Sequence, residues 1–258
     1  MASITVSVAE LAQLQVAAGL DELPVALQVP LGSDDAGARA ALLERGLLTE
    51  RGPSSSVLPL LRVLAAPEAS TSARASLMGA DAGTVMHRGV VARRGGQIVG
   101  ATRIADSVRL RVIDGSVAGF LLEIVGPAPV GRELIARDAV VRHDAFASAV
   151  EGARDANAVI LGLRQAGVAA DDAFQYGQAL HHASRVVEVT SPGRAPLAVI
   201  DAKQGRVLVC PLGEPDAVPR RVTVRAGSDH RLRRALDQVW RPGARSTHRI
   251  ADRGGVRA

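Results

Sequence analysis

Val90-Val91-Ala92-Arg93-Arg94-Gly95-Gly96-Gln97-Ile98-Val99 is a β-branched run, a polar turn carrying two glycines, and a second apolar run. That order is a hairpin signature: paired strands favour branched side chains, and glycine accepts the positive φ of a tight turn. The same order returns in the second half as Val199-Ile200-Asp201-Ala202-Lys203-Gln204-Gly205-Arg206-Val207-Leu208, 109 positions later. The flanks match too. Val108-Arg109-Leu110-Arg111-Val112 alternates like a strand, and Gly115-Ser116 then opens an apolar helix around Phe120, Leu121 and Ile124. Later, Val222-Thr223-Val224 gives way to Gly227-Ser228 and a helix around Leu232, Leu236 and Val239. Here the offset has grown to 112, because the connection from Gly213 to Pro219 is longer. A unit of three strands and a helix, used twice, predicts one pseudo-symmetric domain whose two sheet units join under an internal pseudo-two-fold. Two copies are too few for a solenoid.

Outward from these units, the chain reads as helices. Ser7-Val8-Ala9-Glu10 fits a capping box after a short strand Ser3 to Val6, and its helix stops near Gly19. Glu22 to Pro30 reads as extended. Asp34 or Asp35 caps a helix ending at Gly46, Gly52 to Ser56 is a loop, and Val57 to Ala65 is a helix closed by Pro67. A strand is expected near Ala73 to Met78. Gly126-Pro127-Ala128-Pro129 and the polar stretch after it join the halves. Asp144, Asp155 and the pair Asp171-Asp172 open three further helices, and Val186 to Thr190 starts the second sheet unit. Hairpins imply antiparallel pairing, and segregated helices imply an α+β class. Residues 1–240 read as a single domain with halves of about 1–126 and 127–240. The Gly-, Arg- and Ser-rich stretch 241–258 reads as a disordered tail dispensable for folding.

Composition bounds the function. At 258 residues and 47% hydrophobic, the chain can bury a large core. No apolar stretch reaches the length of a membrane span, and Met1 to Val6 lacks the basic and apolar regions of a secretory signal. The one cysteine, Cys210, lies in an apolar strand and can form no intramolecular disulfide. A cytoplasmic protein is expected. The sequence pI of about 10.7 first points to nucleic acid. However, Arg241, Arg245, Arg249, Arg253 and Arg257 against Asp252 give the tail +4 of the chain's net +5, leaving residues 1–240 near neutrality. With 2% aromatics, stacking platforms for single strands are nearly absent. A basic nucleic-acid-associated protein acting through its tail is the second reading, and a small-molecule enzyme on an α+β scaffold the third.

No catalytic constellation emerges. His181 and His182 are adjacent on a helix and point about 100° apart, so they do not readily share a metal. His87, His143, His230 and His248 have no ligand at helical spacing. There is no nucleophile elbow, P-loop or dinucleotide fingerprint, and Gly95-Gly96 lies between strands rather than before a helix. Asp171-Asp172 sits where helix caps belong. No catalytic residue, no metal and no cofactor are expected.

Several stretches, in order, resemble one family. They are Ile4-Thr5-Val6-Ser7-Val8 with Leu14, Leu43-Glu44-Arg45-Gly46-Leu47-Leu48, Leu61-Arg62-Val63-Leu64-Ala65-Ala66-Pro67, Val90 to Gly95, Tyr176-Gly177-Gln178-Ala179-Leu180, and Trp240 with Thr247-His248-Arg249. Together they resemble the EspG family, the ESX (type VII) secretion-associated chaperones of Actinobacteria. The resemblance implies a cytosolic chaperone, not an enzyme, with a central antiparallel sheet flanked by two helical bundles. It implies binding of the tip of a secreted PE–PPE helical heterodimer, keeping it soluble before export. It implies a surface made of the central sheet, a strand-connecting loop and the C-terminal bundle. By position the loop is Gly79 to Thr84, with Gly79, Asp81 and Thr84 as candidates; it is short for the family, which points to a partner tip of different shape. The bundle candidates are Phe174, Tyr176 and Leu180, and the sheet candidates Val187 and Val189. Phe174 and Tyr176 point about 200° apart on a helix, so one of them is expected to face outward. Leu180→Arg is expected to lose the partner with the fold intact.

Overall fold

The structure is a computed structural model and describes residues 3–29, 35–78, 85–129, 134–212 and 220–240. The first half runs β1 (Ile4–Ser7), α1 (Val8–Ala17), a 3-10 turn (Val25–Leu27), α2 (Ala36–Glu44), β2 (Leu48–Thr49), β3 (Gly52–Pro53) and α3 (Leu58–Ala65), then β4 (Ala69–Leu77), β5 (Val85–Arg94), β6 (Gln97–Ile104), β7 (Ser107–Val112) and α4 (Val117–Val125). The second runs β8 (Ala139–Arg142), α5 (His143–Val150), α6 (Ala156–Gln165) and α7 (Ala170–His181), then β9 (Ala183–Thr190), β10 (Leu197–Ala202), β11 (Gly205–Leu212), β12 (Arg221–Ala226) and α8 (Asp229–Trp240).

Local chemistry sets the element ends. The predicted capping box closes in both directions: Glu10 N–H donates to Ser7 Oγ at 3.0 Å, and Ser7 N–H to Glu10 Oε2 at 2.7 Å. Asp35 and Asp155 cap α2 and α6 through Ala38 and Ala158 N–H. The expected cap at Asp171 or Asp172 does not form. Ala169 is the residue before α7 and makes no side-chain bond, while Asp172 turns to Arg137. Three weak local patterns were also misread. Glu22 to Pro30 contains a 3-10 turn, the loop from Gly52 includes strand β3, and the polar stretch joining the halves contains β8.

Ten strands form one antiparallel sheet in the order β1-β7-β6-β5-β4-β9-β10-β11-β12-β8. Each repeated run has four strands rather than three, since β4 and β9 lead their hairpins, and the runs join where β4 pairs with β9. The order of runs reads alike from either edge. The two decisive hairpins turn differently. Gly95 and Gly96 have φ of 54° and 82°, as a two-residue turn with left-handed residues requires, whereas in the second hairpin only Gly205, at φ 133°, is positive.

Strand alternation distributes three cores over the two faces. On one face α4 and α8 straddle the middle, burying Ala73, Ala75, Val91, Val187, Val189, Val199 and Leu208. Phe120 of α4 lies so close to the backbone at Gly100 that a Cβ there would stand 2.4 Å from its ring, so only glycine fits. On the other face, the first-half helices cover Val90, Val99, Val108 and their neighbours. The helices α5, α6 and α7 cover Val207, Val209, Val222 and Val224.

A buried ion cluster ties the halves together. Arg206 and Asp201 are both almost fully buried; Arg206 Nε donates to Asp201 Oδ1 at 2.6 Å. Arg185 Nε donates to Asp201 Oδ2 at 3.0 Å, and Arg206 Nη2 donates to the Pro127 carbonyl at 2.9 Å. Asp201 thus orients two arginines, one of which holds the inter-half connection. Removing one member leaves charge buried without its partner, which costs about 3–5 kcal/mol. Asp201→Ala should therefore lower the denaturant midpoint sharply in urea unfolding, without a partner present.

His87 offers a second test. Its Nε2 is buried without a hydrogen-bond partner among the described residues. Burial pushes its pKa below the ordinary 6.5, against an opposing pull from Glu123 and with a further push from Arg185. The fold therefore favours neutral His87. Below about pH 6.5 the unfolded chain takes up a proton that the folded chain resists, so stability falls as pH drops through that range toward the folded pKa. Thermal melts of the wild type and His87→Gln between pH 7.5 and 5.5 should show the steeper loss in the wild type.

Candidate functional site

The face opposite α4 and α8 is covered at both ends and bare in the middle. On one side the 3-10 turn lies over β4, β5 and β6; on the other α7 lies over β10 and β11. Between them, β4 presents Ser72, Arg74 and Ser76, and β9 presents Val186, Glu188 and Thr190. Arg74, Glu188 and Thr190 are exposed; the other three are half-buried. Helices cannot cover this strip without leaving the outer strands on which each bundle packs. The result is a groove with a β-sheet floor and helical walls.

The candidate side chains divide across this geometry. Phe174 is 52% exposed on the outer side of α7. Tyr176 faces the sheet, fully buried, and its hydroxyl donates to the Arg137 carbonyl at 2.8 Å. The expectation that one of the two faces outward is met, and Phe174 is that one. Burial first, and then Asp138 and Asp172, raise the Tyr176 pKa, so its hydroxyl stays a proton donor. Leu180 is buried in the core of the C-terminal bundle.

Val187 and Val189 are fully buried beneath α4 and α8. The strand was identified correctly, but these two residues point to its other face. Side chains alternate along a strand, and the groove takes Val186, Glu188 and Thr190 instead. In this conformation Tyr176, Val187 and Val189 have no surface to offer a partner, a correction that follows from packing. Gly79, Asp81 and Thr84 lie outside the described residues, as does the Arg-rich tail. Sequence reading missed Arg74, Glu188 and Arg88. For Arg74 the signal was present in Ser72-Ala73-Arg74-Ala75-Ser76, where polar residues alternate with alanine at period two; Arg88, on β5, has no such local pattern.

Other chemistry is satisfied or absent. Arg137, Asp172 and Arg231 line an open cleft beside the first turns of α7 and α8. Both of its arginines are paired: Arg137 Nε donates to Asp172 Oδ2 at 3.2 Å, and Arg231 Nη1 to Asp138 Oδ1 at 2.8 Å. Burial raises the Cys210 thiol pKa, leaving it a poor nucleophile. Among the described residues, no three His, Cys, Asp or Glu side chains gather as a metal site, and no helix is long and apolar enough to cross a membrane.

An antiparallel sheet sealed on one face by a helix pair, and flanked on the other by two bundles, defines a two-bundle α+β class. The chain belongs to the EspG family, whose model matches residues 7–238. Among solved structures, the chain is similar to the Mycobacterium tuberculosis type VII secretion system chaperone EspG5, determined in complex with a PE25–PPE41 dimer. The TM-score is 0.74 at 18% identity, over 92% of this chain and 95% of that one. No curated protein sequence matches the chain.

Because Leu180 is buried, Leu180→Arg should now act on the fold. An unpaired arginine in this core should leave the protein insoluble or lower its melting temperature by many degrees. Circular dichroism on the soluble fraction reads the outcome.

Proposed function

We propose that this protein is a cytosolic chaperone of type VII secretion that binds the tip of a PE–PPE-type helical heterodimer and keeps it soluble for export. It is not an enzyme, and its two halves act as one pseudo-symmetric domain. One observation carries the reading: a member of the EspG family leaves the middle of one sheet face bare between two helical bundles. A secreted helical pair with an apolar tip aggregates unless that tip is covered; the floor of the groove is polar, so apolar contact comes from exposed side chains of the flanking bundles such as Val25 and Phe174. Phe174, a large aromatic exposed on the outer side of α7, extends the contact surface beyond the groove onto the C-terminal bundle, and aromatic side chains dominate the energy of such interfaces.

Co-expression with a PE–PPE pair from the same organism, followed by size exclusion, tests the reading. A stable complex is expected, with the pair insoluble when expressed alone. Phe174→Asp should weaken the complex at least tenfold while leaving the circular dichroism spectrum and melting temperature unchanged, because the side chain is already in water. A full-strength complex with Phe174→Asp would move the binding surface off α7.

A further inference from the structure

The floor of the groove carries charge that the described chain does not balance. Reading across the paired strands, one row runs Val108, Arg103, Arg88, Arg74, Glu188, Ala198. Directly opposed side chains on one face lie about 4.5–5.5 Å apart, and like charges so placed repel. Arg103 is compensated by carbonyls, donating to Leu27 at 2.6 Å and to Gln28 and Ala105 at 2.8 Å. Arg88 and Arg74 have no hydrogen-bonded or ion-paired partner among the described residues. Arg88 is half-buried, and burial, then Arg103, then Arg74 lower its pKa. Glu188 faces Arg74 across the strand pair yet forms no ion pair with it.

A row of this kind costs stability in the free protein. Arg74 and Glu188 sit on the bare strip of the sheet, and Arg88 lies beside it on β5, next to the 3-10 turn. We propose that Arg74 and Arg88 form a carboxylate-recognition site that takes aspartate or glutamate side chains from the tip of the helical partner. With Glu188, they fix which way round that partner lies. This rests on the reading of the groove as the partner site. The strand order is alike on both sides of the β4–β9 pair, so strand order does not set the orientation. Charge does set it. An acidic end is drawn to β4 and β5 and repelled at β9, where Glu188 is followed by Ala198 rather than by another cation. A polyanion is a poor occupant, because it would also meet Glu188 directly opposite Arg74. An arginine pair binding carboxylates gains charge-assisted hydrogen bonds, and a specificity that k_on and salt dependence report.

The test uses the full chain and the PE–PPE pair with which it forms a complex, titrated at low and at physiological salt. Arg74→Ala/Arg88→Ala should lose at least tenfold in affinity and flatten the salt dependence. Arg74→Glu should lose more, and reversing an acidic residue at the partner's tip should recover it. Glu188→Gln should keep or tighten binding. The melting temperature of the alanine double variant should hold or rise, because like-charge repulsion is relieved. Unchanged affinity and salt dependence in that variant, with Phe174→Asp still disrupting the complex, would overturn this proposal and leave the groove reading intact. If neither set of variants affects a complex that forms, the groove reading itself fails. A melting temperature several degrees lower in the alanine double variant would mark the arginines as structural and also overturn the proposal.

Discussion

The pairing of β4 with β9 is the constraint on which the rest of the architecture depends. It is the seam between the two strand runs, and Arg74 opposite Glu188 and Ala75 opposite Val187 lie in its middle. Because the seam is antiparallel, the helix that ends each run, α4 or α8, returns across the same face. Those two helices meet over the seam and bury Ala73, Ala75, Val187 and Val189 from above. Small alanines on β4 let both helices approach closely. The helical bundles, by contrast, precede their strand runs and pack on outer strands, which leaves the reverse of the seam uncovered. The groove is therefore a by-product of joining two such units edge to edge, and needs no special element to form it.

What lines that reverse face follows from alternation. A central strand normally carries apolar side chains on both faces, since a sheet covered on both sides has no solvent to satisfy polar groups. Here β4 and β9 are buried on one face only, so Thr71, Ala73 and Ala75 alternate with Ser70, Ser72, Arg74 and Ser76. Serines and a mixed charge row keep the strip soluble while the groove is empty. They also blunt it against non-specific sheet contacts, because desolvating arginine without a partner is unfavourable.

Features coded by neighbours in sequence were legible, and those coded by distant neighbours were not. The capping box at Ser7 and Glu10, the stops at Gly19 and Gly46, and the two hairpins each depend on a few adjacent residues, and each was readable. The family resemblance was readable because it is a succession of such local patterns. The face of β9 was not: Val186 and Val187 are equally apolar, and only the helices α4 and α8 decide which of them is covered. The face of α7 was half legible. Its periodicity separates Phe174 from Tyr176, but which side meets the sheet depends on Arg137, 39 positions away from Tyr176. Asp172 was misread for the same reason: a local cap was the simplest role for it, and a distant arginine outcompeted that role. The strand β8 was missed because its four residues gain strand geometry from β12, far along the chain.

The arginines themselves show how context divides residues of one type. Arg206, buried almost completely, is saturated: a carboxylate faces its Nε and two backbone carbonyls face its Nη2, so its charge serves the fold. Arg103, on β6, is quieted by the Leu27 and Gln28 carbonyls at the C-terminal end of the 3-10 turn. Arg88 and Arg74 continue the same row toward the seam without any such group. Chains that fold well satisfy their polar groups locally, and departures from that rule concentrate where a protein meets something else. Arg74, exposed, is left to water, and Arg88, half-buried, lies between Arg103 and Arg74 with no acceptor among the described residues, so internal compensation of this row falls away from the bundle toward the seam.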